Sequence, residues 1–359
     1  LEPEIVSISC STKNAKIYYT LNGEEPTLEN ATLYESPLEI SENTSLRVKA
    51  FADGMLSSKV VSTTYIFPDE AHSECGGFTV PIVSLVVDSA YFYDDTIGIC
   101  VVGTNGISGD KHCQAVGNYN RDWKRPVSFE YIVDGKSVFS QDVEAAVEGG
   151  CSRVEEVKSL SLKASSKSGA DELDYKFFAS KPDFLYQTLH LRNGGTAYKK
   201  VRFRDGLMQT FAEGMNIDYQ ASQPVAYYIN GVYQGLMSLN ERTNADYVTA
   251  NYGYNDDEID LVTVSDVKGI NASKGDLSAY NELVEFLKTD SIEDNLLYEG
   301  ACKRMDMDEY IDYQIFQQFI VNTDWPGNNT KIWREKKNGK FRWILYDTDF
   351  GFGLPGYEY

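Results

Sequence analysis

The order of its hydrophobic patterns constrains this chain more than any single motif. Four short strand-type runs, EIVSIS, AKIYYTL, TSLRVKAFA and KVVSTTYIF, fill residues 1–66, with turn signals LNGEEPT and ADGM between them. Ile17 and Tyr19 alternate with Tyr18 and Thr20, the period-two pattern of a half-buried strand. Strands of this length and spacing predict a small antiparallel sandwich. Beyond it, PDEAHSECGGFT is polar and acidic with Pro and Gly, and reads as a linker.

From Val80 the pattern changes. PIVSLVVD, GICVVG, WKRPVSFEYIV, EVKSLSLKA and QTLHLRN read as strands, and Tyr198 to Glu213 carries Val201, Leu207, Met208 and Phe211 at helical spacing. Two apolar runs around Asn230-Gly231 predict a hairpin. After Asn244 the chain reads as mostly helical: LSAYNELVEFLKT, then MDEYIDYQIFQQFIVN with Asp306 as N-cap and Met307, Ile311, Phe316, Phe319 and Ile320 on one face. That helix runs into NTDWPGNN, followed by KIWREK and by FRWILYD, a strand ending in acid. The expected fold is therefore multidomain. A small all-β sandwich (1–68) and a linker (69–79) precede an α+β, two-lobed, protein-kinase-like domain with a strand-rich lobe (80–243) and a helical lobe (244–359).

Composition narrows the partners. A chain of 359 residues exceeds what one core usually serves. Its formal net charge of −21 argues against nucleic acid or an anionic membrane surface as the main partner. No apolar run approaches the roughly 20 residues of a spanning helix. The start at Leu1 is read as following a removed segment, such as a signal peptide. The cysteines (Cys10, Cys75, Cys100, Cys113, Cys151 and Cys302) form no CxxC pair, which argues against a zinc ribbon. Cys100 and Cys113 flank a Gly-rich stretch, leaving a disulfide or free thiols as alternatives. With three histidines and no HExxH, zincin chemistry is excluded.

The acids and amides near the end carry the chemistry. Phosphoryl transfer needs a carboxylate to orient the acceptor hydroxyl and oxygens to hold Mg2+ against phosphates. In protein kinases the catalytic Asp and a metal-binding Asn are separated by four intervening residues, and a second metal-binding Asp follows on a strand end. Asp324 and Asn329 have that separation, and Asp347 and Asp349 follow FRWILY, with residues 349–351 spelling DFG. The same residues also suit two other roles: turn-shaping by Asp, Pro, Gly and Asn, and a Ca2+ site at Asp347 and Asp349. Asn328-Asn329-Thr330 is also a glycosylation sequon.

Two resemblances rest on these segments. IYYTLNGEEPT, LYESPLEI and LRVKAFADGMLSSKVVSTTY resemble the β-sandwich at the C-terminus of chitobiases and β-hexosaminidases. That resemblance implies an accessory module of secreted bacterial enzymes, with carbohydrate as a partner through exposed tyrosines. PVAYYINGVYQGLMSLNERTN, NTDWPGNNTKIWR and RWILYDTDFGFG resemble the spore coat protein H (CotH) family of atypical kinases, from about residue 80 onward. That resemblance implies a secreted or surface-located bacterial phosphotransferase that uses ATP and Mg2+, with Mn2+ or Ca2+ as alternatives, on Ser or Thr of a protein acceptor. By position Asp324 is the catalytic acid/base, and Asn329 with Asp347 or Asp349 holds metal. Lys176 falls where the family has Lys-Lys-Ser, with Arg192, partnered by Asp205, as the competing cation near the phosphates; Glu241 matches the pattern between the lobes.

Two departures stand out. KASSKSGADELDYK lacks the family's Gly-rich run, and the chain ends at Tyr359, where a helical lobe would continue. The departures keep alive a second class of function, a non-catalytic surface or adhesion protein that binds carbohydrate or protein through a degenerate kinase-like domain. A glycosidase using paired carboxylates is a third; the amides beside the acids suit a metal better.

Overall fold

The computed structural model describes residues 2–67, 79–167, 169–181, 185–288 and 295–353. The expected linker lies outside these residues except for Thr79, as does the C-terminal stretch 354–359.

The N-terminal domain is all-β. Strands β2 (Lys16–Thr20), β3 (Thr32–Leu33), β5 (Thr44–Phe51) and β6 (Val61–Tyr65) form one sheet in the order β3-β2-β5-β6; β1 (Glu4–Val6) and β4 (Leu38–Ile40) form a second. Polar contacts join it to the next domain. The Thr64 amide donates to Glu130 Oε2 at 2.8 Å, and the Thr64 and Ser84 hydroxyls lie 2.8 Å apart. A cavity of about 890 Å3 opens at this junction, lined by Tyr65, Phe67, Ile82 and Glu130 among others, and holds none of the candidate residues.

The second domain is built on a closed barrel. Strands β7 (Ile82–Val86), β10 (Lys124–Val133), β11 (Lys136–Glu148), β12 (Ser159–Lys163), β13 (Thr188–Arg192), β15 (Ser222–Ile229) and β16 (Val232–Glu241) run in the order β10-β11-β12-β13-β16-β15-β7. Its core is the inward set of alternating residues, including Leu85, Phe129, Val143, Leu162, Leu191, Val225, Tyr227 and Leu239. Asn230 and Gly231, at φ 49° and 79°, make the tight turn of the predicted hairpin.

This barrel overturns the expected α+β two-lobed fold. Among the described residues strands outweigh helices, with 35% in strands and 21% in helices. The strands do not stop at an open sheet, because β7 pairs antiparallel with β10 and parallel with β15, leaving no edge. The residues after Asn244 depart from the helical expectation as well. There β17 (Ile259–Ser265), β18 (Gly269–Lys274), β19 (Thr330–Glu335) and β20 (Arg342–Leu345) form a sheet that the earlier β14 (Asp218–Tyr219) joins, in the order β14-β20-β19-β17-β18. It packs against helices Ser278–Leu287, Asn295–Arg304 and Met307–Phe319 around Val262, Tyr313, Phe316, Ile332 and Leu345.

Three local readings also change. GICVVG is a loop, not a strand, because the Asn118 side-chain amide takes the Asp95 and Gly98 carbonyls at 3.2 and 3.0 Å, replacing strand partners. The helix expected over 198–213 is Arg204–Phe211, and it buries Asp205, Gly206, Met208 and Gln209 while Leu207 and Phe211 are exposed. A Cβ at Gly206 would crowd Ser222 Oγ. In Met307–Phe319 the buried face is Glu309, Tyr313, Phe316 and Gln317, with Ile311 and Phe319 exposed; Asp306 caps it by accepting from the Glu309 amide. In both helices buried polar partners, rather than the apolar stripe, set the rotation.

Of the alternatives left open for Cys100 and Cys113, their mutual disulfide is not formed. Cys113 is disulfide-bonded to Cys151, with Cα atoms 5.0 Å apart, and Cys100 is free. The bond ties the short hairpin of β8 (Ile107–Ser108) and β9 (Val116–Gly117) to the turn between β11 and β12.

Candidate active site

Strand β13 ends in Arg192, whose side chain leaves the barrel wall toward the second sheet. There it meets three carboxylates. Nε lies 3.3 Å from Asp205 Oδ2, and Nη2 lies 2.9 Å from Asp349 Oδ2 and also bonds Asp347 Oδ1. Asp205 comes from the first turn of helix Arg204–Phe211; Asp347 and Asp349 follow β20. The structure thus brings a strand cation, a helix acid and the two acids after FRWILY into one cluster. Burial works against the Arg192 charge, but Asp347, Asp205 and Asp349 more than offset it and raise its pKa.

The loop after β13 joins this cluster. Gly194 and Gly195 have φ of 97° and 55°, and the Thr196 amide donates to Asp349 Oδ2 at 2.9 Å. A Cβ on Gly195 would run into Asp349 Oδ2 and Arg192 Nη2. From the other side, Asp205 Oδ1 accepts from the Thr348 amide at 2.7 Å and the Thr348 hydroxyl at 2.8 Å. Asp349 is 3% exposed. Burial first, then the charge of Asp347, pushes its carboxyl up to about 7, with Arg192 opposing.

Asp324 stands in the loop between helix Met307–Phe319 and β19. Its backbone amide donates to Asn322 Oδ1 at 3.2 Å, and Asn322 is held by Gln317 at 2.9 Å, so the helix end positions the loop. Asn328 Nδ2 donates to both Asp324 oxygens at 3.1 Å, and Asn329 Nδ2 donates to Oδ2 at 2.8 Å. The Asn328 amide nitrogen is thereby committed within the loop rather than presented as a sequon. The Trp325–Pro326 peptide is cis, and Asn329 and Asp347 both have positive φ, 49° and 53°. Such backbone is uncommon outside Gly and is tolerated where surrounding bonds over-determine it. Burial raises the Asp324 pKa, Asn328 lowers it, and Asp347 raises it further, which sets the two acids within electrostatic reach.

The remaining expected residues lie apart from this cluster. Lys176 is exposed, between Tyr175 and Phe177, which pack into the barrel's aromatic cluster. Glu241 is buried, 3.3 Å from Lys181 Nζ, and accepts from the Ala221 amide at 2.8 Å and Asn251 at 3.1 Å. That environment joins β16 to helix Ala245–Tyr252, a structural setting.

Several site residues escaped sequence reading. Gly195 and Thr196 were signalled by the NGGT run after a strand. Lys331 in β19 donates from Nζ to the Thr243 carbonyl and, at 2.8 Å, to Thr243 Oγ1, and lies 4.4 Å over the Tyr346 ring. Burial, then Arg242, pushes its pKa down to about 7. His190, on β13 beside Arg192, is held neutral by burial and by Arg242, Arg192 and Lys331.

The donor chemistry suits a hard divalent cation. Asp324, Asn329, Asp347 and Asp349 offer oxygens only, and one guanidinium faces three carboxylates, which leaves excess negative charge for a cation to neutralise. Among the described residues, no group of three or more His, Cys, Asp or Glu is already arranged as a metal cage.

With this geometry in view, the comparisons identify the class of protein. The CotH kinase protein family model matches residues 145–358, and the chain belongs to that family. Residues 1–63 match the chitobiase/beta-hexosaminidase C-terminal domain. A comparison with curated proteins gives no match. No helix among the described residues is long and apolar enough to cross a membrane.

Proposed function

We propose that the chain is an extracytoplasmic phosphotransferase that moves the γ-phosphate of ATP to Ser or Thr of a protein acceptor. The observation that carries this reading is the convergence of Asp205, Asp347 and Asp349 on Arg192, beside a loop in which Asn328 and Asn329 fix Asp324. Family membership supports it. Asp324 is the acid/base that orients the acceptor hydroxyl and takes its proton. Burial and Asp347 keep its proton affinity above that of a solvated Asp. Asn329, Asp347 and Asp349 would hold Mg2+, which bound with ATP would neutralise charge developing on the transferred phosphoryl group. Arg192, anchored by Asp205, holds the two acids in place and offers positive charge to the phosphates. The Cys113–Cys151 disulfide supports a secreted or surface location, since such bonds persist in oxidising compartments. The N-terminal domain is read as an accessory module for carbohydrate.

The test is transfer of labelled γ-phosphate to the chain itself or to a generic protein acceptor, with Asp324→Asn as control. Transfer that disappears in the variant supports the reading; label incorporation equal in both rejects Asp324 as the acid/base.

One observation favours a second reading, a non-catalytic binding protein. Arg192 already satisfies Asp347 and Asp349, and no metal cage is arranged among the described residues. A family member that had lost nucleotide use could keep this self-neutralised cluster as structure. Absence of any Mg-ATP binding, with glycan or protein binding retained, would favour it.

A further inference from the structure

Arg192 has three carboxylate partners, and Arg242 pairs with Glu148 at 3.1 Å. Lys331 differs. Among the described residues it has no carboxylate within ion-pair distance, and its bonds go to the two oxygens of Thr243 and the face of Tyr346. An ammonium drawn from water without a counter-charge is costly, and neutral acceptors and a ring face offset only part of that cost. Two of its three N–H groups are used; the third has no acceptor among the described residues.

Its place gives that charge a purpose. Lys331 follows Asn329 by two residues, and the ring beneath it belongs to Tyr346, the neighbour of Asp347. The Thr243 that holds it follows Arg242. Lys331 as a whole residue keeps intermediate exposure, while its ammonium is drawn in between Thr243 and Tyr346. Lys331 feels the charges of Arg242, Asp347 and Glu148, of which Glu148 is already paired with Arg242, and two cations this close fit a multiply charged anion better than a single carboxylate. We propose that Lys331 binds a phosphate oxygen of the nucleoside polyphosphate, with Arg242 as the adjoining positive group. This rests on the phosphotransferase reading and adds a binding residue to that same site.

The experiment uses sodium tripolyphosphate, Mg-ATP and adenosine as separate titrants in calorimetry, on the whole chain and on Lys331→Met and Lys331→Arg. Lys331→Gln, which keeps a hydrogen bond to Thr243, replaces Lys331→Met if the latter melts lower than the parent. A charge-assisted bond lost here predicts tripolyphosphate and Mg-ATP affinity falling by about tenfold or more in Met or Gln, with adenosine unaffected and Arg close to the parent. Equal tripolyphosphate affinity in the parent and the neutral variants overturns the proposal, as does a parent that binds none. Polyphosphate binding that depends on Lys331, in a chain that transfers no phosphate, sustains Lys331 as the anion site and rejects the transferase. Normal transfer with undiminished polyphosphate affinity in the neutral variants rejects Lys331 alone.

Discussion

Arg192 Nη2 lies 2.9 Å from Asp349 Oδ2, and the same guanidinium holds Asp205 and Asp347. These acids come from a helix start and from the chain after β20, so one side chain ties the barrel to both. Arg192→Met would leave Asp205 and Asp349 buried, and Asp347 half-buried, without this cation. Removing one partner of a buried ion pair costs about 3–5 kcal/mol, and that loss should appear in chemical denaturation. Arg192→Lys should recover only part, because an ammonium cannot reproduce the fork. A loss below about 1 kcal/mol, the scale of surface pairs, would show the cluster does not tie the barrel to the second sheet.

Gly195 has φ 55° and would place a Cβ against Asp349 Oδ2 and Arg192 Nη2. Gly195→Ala therefore combines left-handed strain, of order 1–3 kcal/mol, with displacement of the cluster. Cation binding followed by calorimetry should weaken more than global stability does. Equal cation affinity in the variant would mean the loop is not part of the site.

Glu309 is fully buried and accepts from the Trp343 amide at 3.2 Å. Burial first, then Asp218, raises its carboxyl from 4.5 to about 9, with Arg342 opposing. The folded state therefore binds more protons than the unfolded state between these values. Its contribution is complete below about pH 4.5 and is lost as pH rises toward about 9. The melting temperature should decline across that window, and Glu309→Gln should flatten the decline. A parent and variant with parallel pH profiles would contradict this assignment.

Cys113 and Cys151 close a loop across a sequence separation of 38. A bond of that span stabilises by about 3–4 kcal/mol through the unfolded chain, so Cys113→Ser should lower the unfolding midpoint markedly. Cys100→Ser, at a half-buried free thiol, should cost much less. Equal effects of the two substitutions would argue against the Cys113–Cys151 pairing.

What could be read beforehand was local. The Asp324 and Asn329 spacing, Asp349 after a strand, and the Asn230-Gly231 turn are each fixed by a few neighbouring residues. Barrel closure was not legible, because β7 and β15 pair across more than a hundred residues and no pattern in either run specifies a parallel partner. The choice between Lys176 and Arg192 needed the fold, which puts Arg192 against three acids and leaves Lys176 exposed. Glu241 looked like a hinge acid, yet its register in β16 turns it toward Lys181. Lys331 carried no role legible in the sequence, since nothing in KIWREK announces that Thr243 and Tyr346 enclose it.

The central claim is that the carboxylates around Arg192, together with Asp324, form a metal–nucleotide site. Titration calorimetry of Mg-ATP into the whole chain, Asp324→Ala and Asp347→Ala tests it most directly. The account predicts saturable, Mg2+-dependent binding in the parent that is lost in Asp347→Ala, and binding without phosphate transfer in Asp324→Ala. Absence of nucleotide binding in the parent, or binding unaffected by Asp347→Ala, would contradict it.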